Sequence, residues 1–165
     1  MKKPINHQDV ITTLSGKTIE VVSTDAEGRL ILCDAITYAQ KLGASHLIDL
    51  GTLTGPALGD VYTGVFANDD AYYQEFEQAM KAADEKGWRL PMDDEYFAKL
   101  NQNSADFKNS MGKPGAGASI AANFLNAFVE EGTKWIHLVL QEQRSNDGTG
   151  ATGAMIRSVV NMFSK

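Results

Sequence analysis

An α/β fold, with a mixed, largely parallel sheet flanked by helices, is what this sequence predicts. Three observations predict it. Short β-branched or apolar runs alternate with longer segments whose apolar residues recur every three or four positions. Glycines follow the helical segments and aspartates precede them, as helix stops and starts require. The 165 residues, 43 % of them hydrophobic, fit one globular domain of ordinary size, residues 1–165.

Taken in order, residues 18–22 alternate and are β-branched, so they read as a strand. Residues 30–42 read as a helix, with Leu32, Ala35, Ile36 and Ala39 as its apolar stripe and Gly43 as its stop. Residues 45–50 read as a buried strand and 62–67 as another short one. Residues 71–86 read as a helix that Gly87 closes, because Tyr72, Phe76, Ala79, Met80 and Ala83 share one face. Asp69 and Asp70 mark its solvated start. Asp93 is placed to cap a short helix through Leu100, with Asp94 and Glu95 favoured in its first turn by the helix dipole. A glycine-rich loop at 111–117 precedes a helix at 118–129 bearing Ile120, Phe124, Leu125 and Phe128. A strand at 135–140 and a closing helix at 155–163 complete the series, with no internal repeat.

Composition narrows the functional classes. The net charge of −6 argues against nucleic-acid phosphates as a partner. No apolar run is long enough to span a membrane, and the amino terminus lacks a signal-peptide core, so a cytoplasmic protein without a membrane partner is expected. Cys33 is the only cysteine, which excludes an intrachain disulfide and a cysteine metal cluster. Its position inside a helix favours a buried thiol. His7, His46 and His137 lack metal-binding spacing and are expected in packing or surface roles. The loop Lys113-Pro114-Gly115-Ala116-Gly117 lacks the order of a phosphate-binding loop.

The chemistry concentrates in Ser23-Thr24-Asp25-Ala26-Glu27-Gly28-Arg29-Leu30. If this segment is extended, Asp25, Glu27 and Arg29 project to one side. Two hard oxygen ligands and a fixed positive charge can then hold a divalent metal with an anion beside it. The cluster lies between a strand and a helix, where α/β proteins collect their sites.

The run from Thr24 to Leu30, followed by Leu32-Cys33-Asp34-Ala35, resembles the signature of the leucine aminopeptidase family, the cytosolic two-metal exopeptidases. Thr52-Leu53-Thr54-Gly55, Trp88-Arg89-Leu90-Pro91, Ala105-Asp106, Lys113-Pro114-Gly115 and Gly150-Ala151-Thr152-Gly153 resemble later landmarks in family order. The resemblance implies that Asp25 and Glu27 are metal ligands, with Glu27 bridging two ions about 3.5–4 Å apart that share a water-derived nucleophile. It implies manganese, zinc or magnesium as the metal, and a bicarbonate ion held by Arg29 as general base. It implies backbone contacts from Thr52, Leu53 and Gly55 to a peptide substrate, leucyl aminopeptidase activity, and a homo-oligomer.

The same resemblance shows what these residues do not supply. The family's other ligands, a Lys and two Asp, and a second catalytic Lys come from a stretch upstream of the equivalent of Asp25. None of the 24 residues before Asp25 resembles that stretch, and the smaller amino-terminal domain is absent. The expectation is therefore the carboxy-terminal portion of a catalytic domain, with weak metal affinity and no hydrolysis by this polypeptide alone. The alternative expectation is a folded, non-catalytic binding or assembly module. A further departure lies at Val139 to Arg144, where the family reads Asp-Ile-Ala-Gly-Thr-Ala. There Gln141, Glu142 and Gln143 are expected to narrow and polarise the substrate side-chain pocket.

Overall fold

Alternating burial along one strand organises the molecule. In β7 (Lys134–Val139), Ile136 and Leu138 join one apolar cluster, and Trp135 and Val139 join another. A strand buried on both faces needs a layer of helices on each side, so the sheet is the middle of three layers. The computed structural model describes residues 4–55, 57–59, 61–101, 103–112, 115–140 and 151–164.

β7 lies between β3 (His46–Gly51), which is parallel to it, and β4 (Thr63–Ala67), which is antiparallel. β5 (Gly87–Arg89) extends this sheet parallel to β4, giving the order β3-β7-β4-β5. A second sheet contains β1 (Val10–Thr12), β2 (Thr18–Glu20) and β6 (Phe107–Lys108), with β2 in the middle. The predicted class therefore holds, a mixed α/β arrangement with three of five pairings parallel. The strands divide between two sheets, and β1, β5 and β6 are strands that the periodicity did not reveal. They are two or three residues long, too short for an alternating pattern to register.

Helices α1 (Glu27–Lys41) and α4 (Gly117–Asn126) pack against each other on one layer. The short α3 (Asp94–Ala98) packs on α4. Phe97, Phe107, Phe124 and Phe128 meet there, with ring centroids 5.3–5.7 Å apart. Each such pair adds roughly 0.5–1.5 kcal/mol beyond its buried area. On the opposite layer α2 (Asp70–Ala83) packs against α5 (Ile156–Phe163). All five residues expected on the inner face of α2 are buried there.

Three expectations need correction. β3 is a half-buried edge strand, because only its β7 side is paired. The inner face of α1 is Arg29, Cys33, Ile36, Thr37 and Gln40, while Ala35 is exposed. Its polar members find partners inside: Thr37 Oγ1 donates to the Cys33 carbonyl, Gln40 Nε2 to the Phe128 carbonyl, and Gln40 Oε1 accepts from Glu130 N–H. α2 ends before Gly87, with Asp84 in the left-handed conformation at φ 52° and Glu85 N–H donating to the Met80 carbonyl. Gly87 serves packing instead, since a Cβ there would lie 2.3 Å from Met80 Sδ.

The helix starts fall into two kinds. Asp69 and Asp93 cap α2 and α3 locally, accepting from Tyr72 and Glu95 N–H at 2.7 and 2.9 Å. α5 has no such cap, as Met155 precedes it in the left-handed conformation. Glu85 supplies one from 70 residues away, accepting from Met155 N–H, Ser158 N–H and Ser158 Oγ at 3.0, 2.9 and 2.6 Å. Glu85→Ala should therefore lower stability by about 1–3 kcal/mol in urea unfolding. It should speed exchange of the Ser158 amide while that of Phe76 stays protected. An unchanged Ser158 amide would contradict this anchoring.

Candidate functional site

β2 leads to the segment that holds the predicted metal ligands. After β2, Val21 still pairs with the amino-terminal segment through bonds to Gln8 and Asp9. Thr24–Ala26 then winds into a 3₁₀ turn, and α1 begins at Glu27. The expected extended segment is therefore not formed. Successive side chains of a helix diverge by about 100°, so alternate residues do not align. Asp25 and Glu27 both lie exposed, in the 3₁₀ turn and at the first position of α1, whereas Arg29 turns inward and is only 5 % exposed. The acidic residues suit this winding, because negative charge is favoured at a helix start.

Arg29 is a buried cation with an incomplete set of partners. Its Nη1 donates to the Asn109 carbonyl at 2.8 Å, and its Nε has no partner. Among the described residues no carboxylate pairs with it. Burial pushes its guanidinium down to about 10, as desolvation penalises the charged form.

Asn109, fully buried at the end of β6, organises the turn. Its Oδ1 accepts from Val22 and Ser23 N–H at 2.9 and 3.2 Å. Its Nδ2 donates to the Ser23 and Ala26 carbonyls at 2.7 and 3.4 Å. Sequence reasoning missed this residue. Its only signal was its place three residues after the Ala105-Asp106 landmark.

The predicted substrate segment follows β3, with Thr52 and Gly55 exposed and Leu53 half-buried. The fold brings it against the carboxylate turn. A Cβ at Gly28 would lie 3.0 Å from Leu53 Cδ2, and one at Gly51 would lie 3.4 Å from Leu32 Cδ1. Glycine at these positions is what allows the close approach. A cleft of about 490 Å³ opens beside this segment, between Thr54–Gly55, Leu90–Pro91 and the start of α4. It takes in Gly55 but not Asp25, Glu27 or Arg29.

A second polar group lies beneath this region. The β3–β7 register sets Asp49 opposite His137. Asp49 Oδ1 meets His137 Nδ1 at 2.5 Å, and Oδ2 accepts from Trp135 Nε1 at 2.5 Å. The imidazole stacks between the Trp135 and Phe66 rings. His137 is thus a satisfied core residue, as its spacing suggested. Its carboxylate partner depends on parallel pairing across 88 residues and was not legible.

The donor chemistry of Asp25 and Glu27 fits a divalent cation, while their number does not complete a site. Among the described residues no group of three or more His, Cys, Asp or Glu converges. Two carboxylates leave the coordination shell of zinc, magnesium or calcium open. Of the segment departing from the family pattern, Val139 is buried in the core and Leu140 is half-buried. Gln141, Glu142, Gln143 and Arg144 lie outside the described residues. Among the described residues, no helix is long and apolar enough to cross a membrane.

Comparison with known proteins adds an independent line. A family model described as the cytosol aminopeptidase family, catalytic domain, matches residues 2–160. A probable cytosol aminopeptidase of Koribacter versatilis (strain Ellin345) is 47 % identical over 163 residues, covering 93 % of this chain and 31 % of that relative. One of Nostoc punctiforme is 46 % identical over 162 residues, covering 93 % and 32 %. The solved structure of a tomato leucine aminopeptidase mutant superimposes with a TM-score of 0.89 at 40 % identity, covering 96 % of this chain and 32 % of that one. The chain thus spans about a third of the length of the relatives it matches.

Cys33 stands beside this site without the properties of a nucleophile. It is buried, its Sγ donates to the Leu30 carbonyl at 3.1 Å, and burial first, then the Asp34 charge, pushes the thiol up to about 12. At pH 8 only about one thiol in ten thousand would be ionised. An aromatic disulfide reagent should therefore leave the folded chain unlabelled and react on addition of denaturant. The raised value also fixes a sign. The stability from keeping this thiol neutral is present below pH 9 and is lost as pH rises from 9 towards 12. Rapid labelling of the folded chain at pH 8 would contradict the assignment.

Proposed function

This chain belongs to the cytosol aminopeptidase family, and on that premise we propose that its 165 residues are the carboxy-terminal portion of the catalytic domain of a metal-dependent leucyl aminopeptidase. The observation that supports this most is the junction itself. Exposed Asp25 and Glu27 and a buried, incompletely partnered Arg29 lie within five residues, across the 3₁₀ turn and the start of α1, against the loop that bears Leu53. Asp25 and Glu27 would bind the metal pair, manganese, zinc or magnesium, with Glu27 as the bridge. When bound, the pair supplies a nucleophilic water and positive charge against the tetrahedral oxyanion.

The chain's own groups orient the reaction. Arg29 would hold a bicarbonate, whose planar oxygens match the guanidinium donors. The Nε without a partner and the lack of an ionic partner, both among the described residues, support that role. Backbone groups of Thr52, Leu53 and Gly55 would position the amino end of a peptide. The remaining metal donors would come from outside these residues, so the isolated chain is inactive in this reading. It would be cytoplasmic and form a homo-oligomer. Exposed apolar stripes support association: Ile31 and Tyr38 on α1 with Leu42 just after its end, and Ile156, Val160 and Phe163 on α5. The lack of a third metal donor among the described residues also favours a second reading, a folded module that does not catalyse.

Calorimetric titration with manganese, and a leucyl-peptide assay on the same samples, test the proposal. Weak binding that Asp25→Asn or Glu27→Gln abolishes is expected, with no turnover. Bicarbonate should raise the melting midpoint by about 2–4 °C in the native chain and leave Arg29→Met unchanged. Tight binding with turnover would contradict the incomplete site. Metal binding indifferent to Asp25 and Glu27 would contradict the ligand assignment.

A further inference from the structure

We infer that Asn109 is the positioning residue of the metal-ligand turn. Its side-chain amide, and no local cap, fixes the backbone from which Asp25 and Glu27 project. This rests on the reading of those two carboxylates as ligands.

The first ground is what the turn lacks. Ser23 precedes the 3₁₀ turn and Ala26 precedes α1, and neither makes a side-chain capping bond. The backbone entering this turn is therefore not held by a side chain of its own. The second ground is what Asn109 supplies. Its Oδ1 takes the Val22 and Ser23 amides, and its Nδ2 reaches the Ser23 and Ala26 carbonyls. These contacts bracket Thr24 and Asp25 on both sides and end at the residue before Glu27. An amide side chain both accepts and donates twice; an aspartate in its place keeps the acceptor and loses both donors.

The third ground is that Asn109 is itself held. Its N–H donates to the Glu20 carbonyl at 3.0 Å, continuing the β2–β6 ladder, and its carbonyl accepts from Arg29. Two residues earlier, Phe107 sits in the aromatic cluster. Asp106 accepts from Thr18 N–H and Oγ1 at 2.7 and 2.9 Å, at the start of β2. The ligand turn is therefore referred to the core through β6, and so is Arg29. Partners that orient metal ligands typically change metal affinity by about 10–100-fold when removed, although they never touch the metal.

The test uses the whole chain as wild type, Asn109→Ala, Asn109→Asp and the Asp25→Asn/Glu27→Gln double variant. Manganese affinity is measured by calorimetry. Amide exchange is measured at Val22 and Ser23, with Ile136 and Leu138 in β7 reporting the rest of the fold. Asn109→Ala should speed exchange at Val22 and Ser23 by at least about tenfold, spare Ile136 and Leu138, and weaken manganese by at least about tenfold. Asn109→Asp should restore protection at Val22 and Ser23 only in part, because the acceptor is retained while its other oxygen now faces the Ser23 and Ala26 carbonyls.

Unchanged exchange at Val22 and Ser23 in Asn109→Ala would overturn the inference. So would an unchanged manganese affinity where the wild-type affinity depends on Asp25 and Glu27. Loss of protection at Ile136 and Leu138 in both variants would also overturn it, since Asn109 would then serve the whole core. If wild type and the double variant bind manganese alike, the ligand reading fails. The amide comparison alone then decides whether Asn109 holds the turn.

Discussion

Backbone groups on the way into a helix must find partners, and before two of this protein's helices the partner is a remote side chain. Asn109 accepts from the Val22 and Ser23 N–H groups that precede the turn into α1, from 87 and 86 residues away, and Glu85 accepts from Met155 and Ser158 N–H at the start of α5, from 70 and 73 residues away. Each is a side chain from another element, so neither helix start is set until the tertiary fold is set. Such bonds contribute only about 0.5–1.5 kcal/mol net each, yet a buried group left without a partner costs about 1–3 kcal/mol. The asymmetry makes these contacts restrictive: the chain loses more by misplacing them than it gains by forming them.

The candidate site inherits this dependence. Asp25 and Glu27 are exposed at the start of the turn and of α1, within reach of solvent. The order around them comes from Asn109 below the turn and from Leu53 packing against Gly28. Arg29 is the costly element. A cation taken out of water with the Asn109 carbonyl as acceptor and, among the described residues, no carboxylate partner is costly to bury. A bound anion would offset that cost, so the same burial that strains the fold prepares a place for negative charge.

How much of this the sequence disclosed depended on range. Helix starts capped within three residues, by Asp69 and Asp93, were legible, and so was the Gly43 stop, where φ is +90°. The inner face of α2 was legible because its residues are apolar. That of α1 was legible only at Ile36, because Thr37 is buried by bonding back to the Cys33 carbonyl and Gln40 through Phe128, which lies far along the chain. Alternation suggested an extended carboxylate segment, but the segment is a 3₁₀ turn whose carbonyls at Ser23 and Ala26 accept from Asn109. The motif located Asp25, Glu27, Arg29 and the Leu53 loop. Local sequence could not show which of them face solvent, nor that Asp49 would meet His137 across parallel strands.

In the proposed reading, Asp25 and Glu27 are two donors of a metal site whose other donors come from outside these residues. Mixing it with the upstream part of the catalytic domain of a relative, such as that of Koribacter versatilis, tests this most directly. Leucyl-peptide hydrolysis is read in manganese before and after mixing. Turnover is expected only in the mixture, and Asp25→Asn should abolish it. A stable complex without turnover, or turnover that survives Asp25→Asn together with Glu27→Gln, would contradict it.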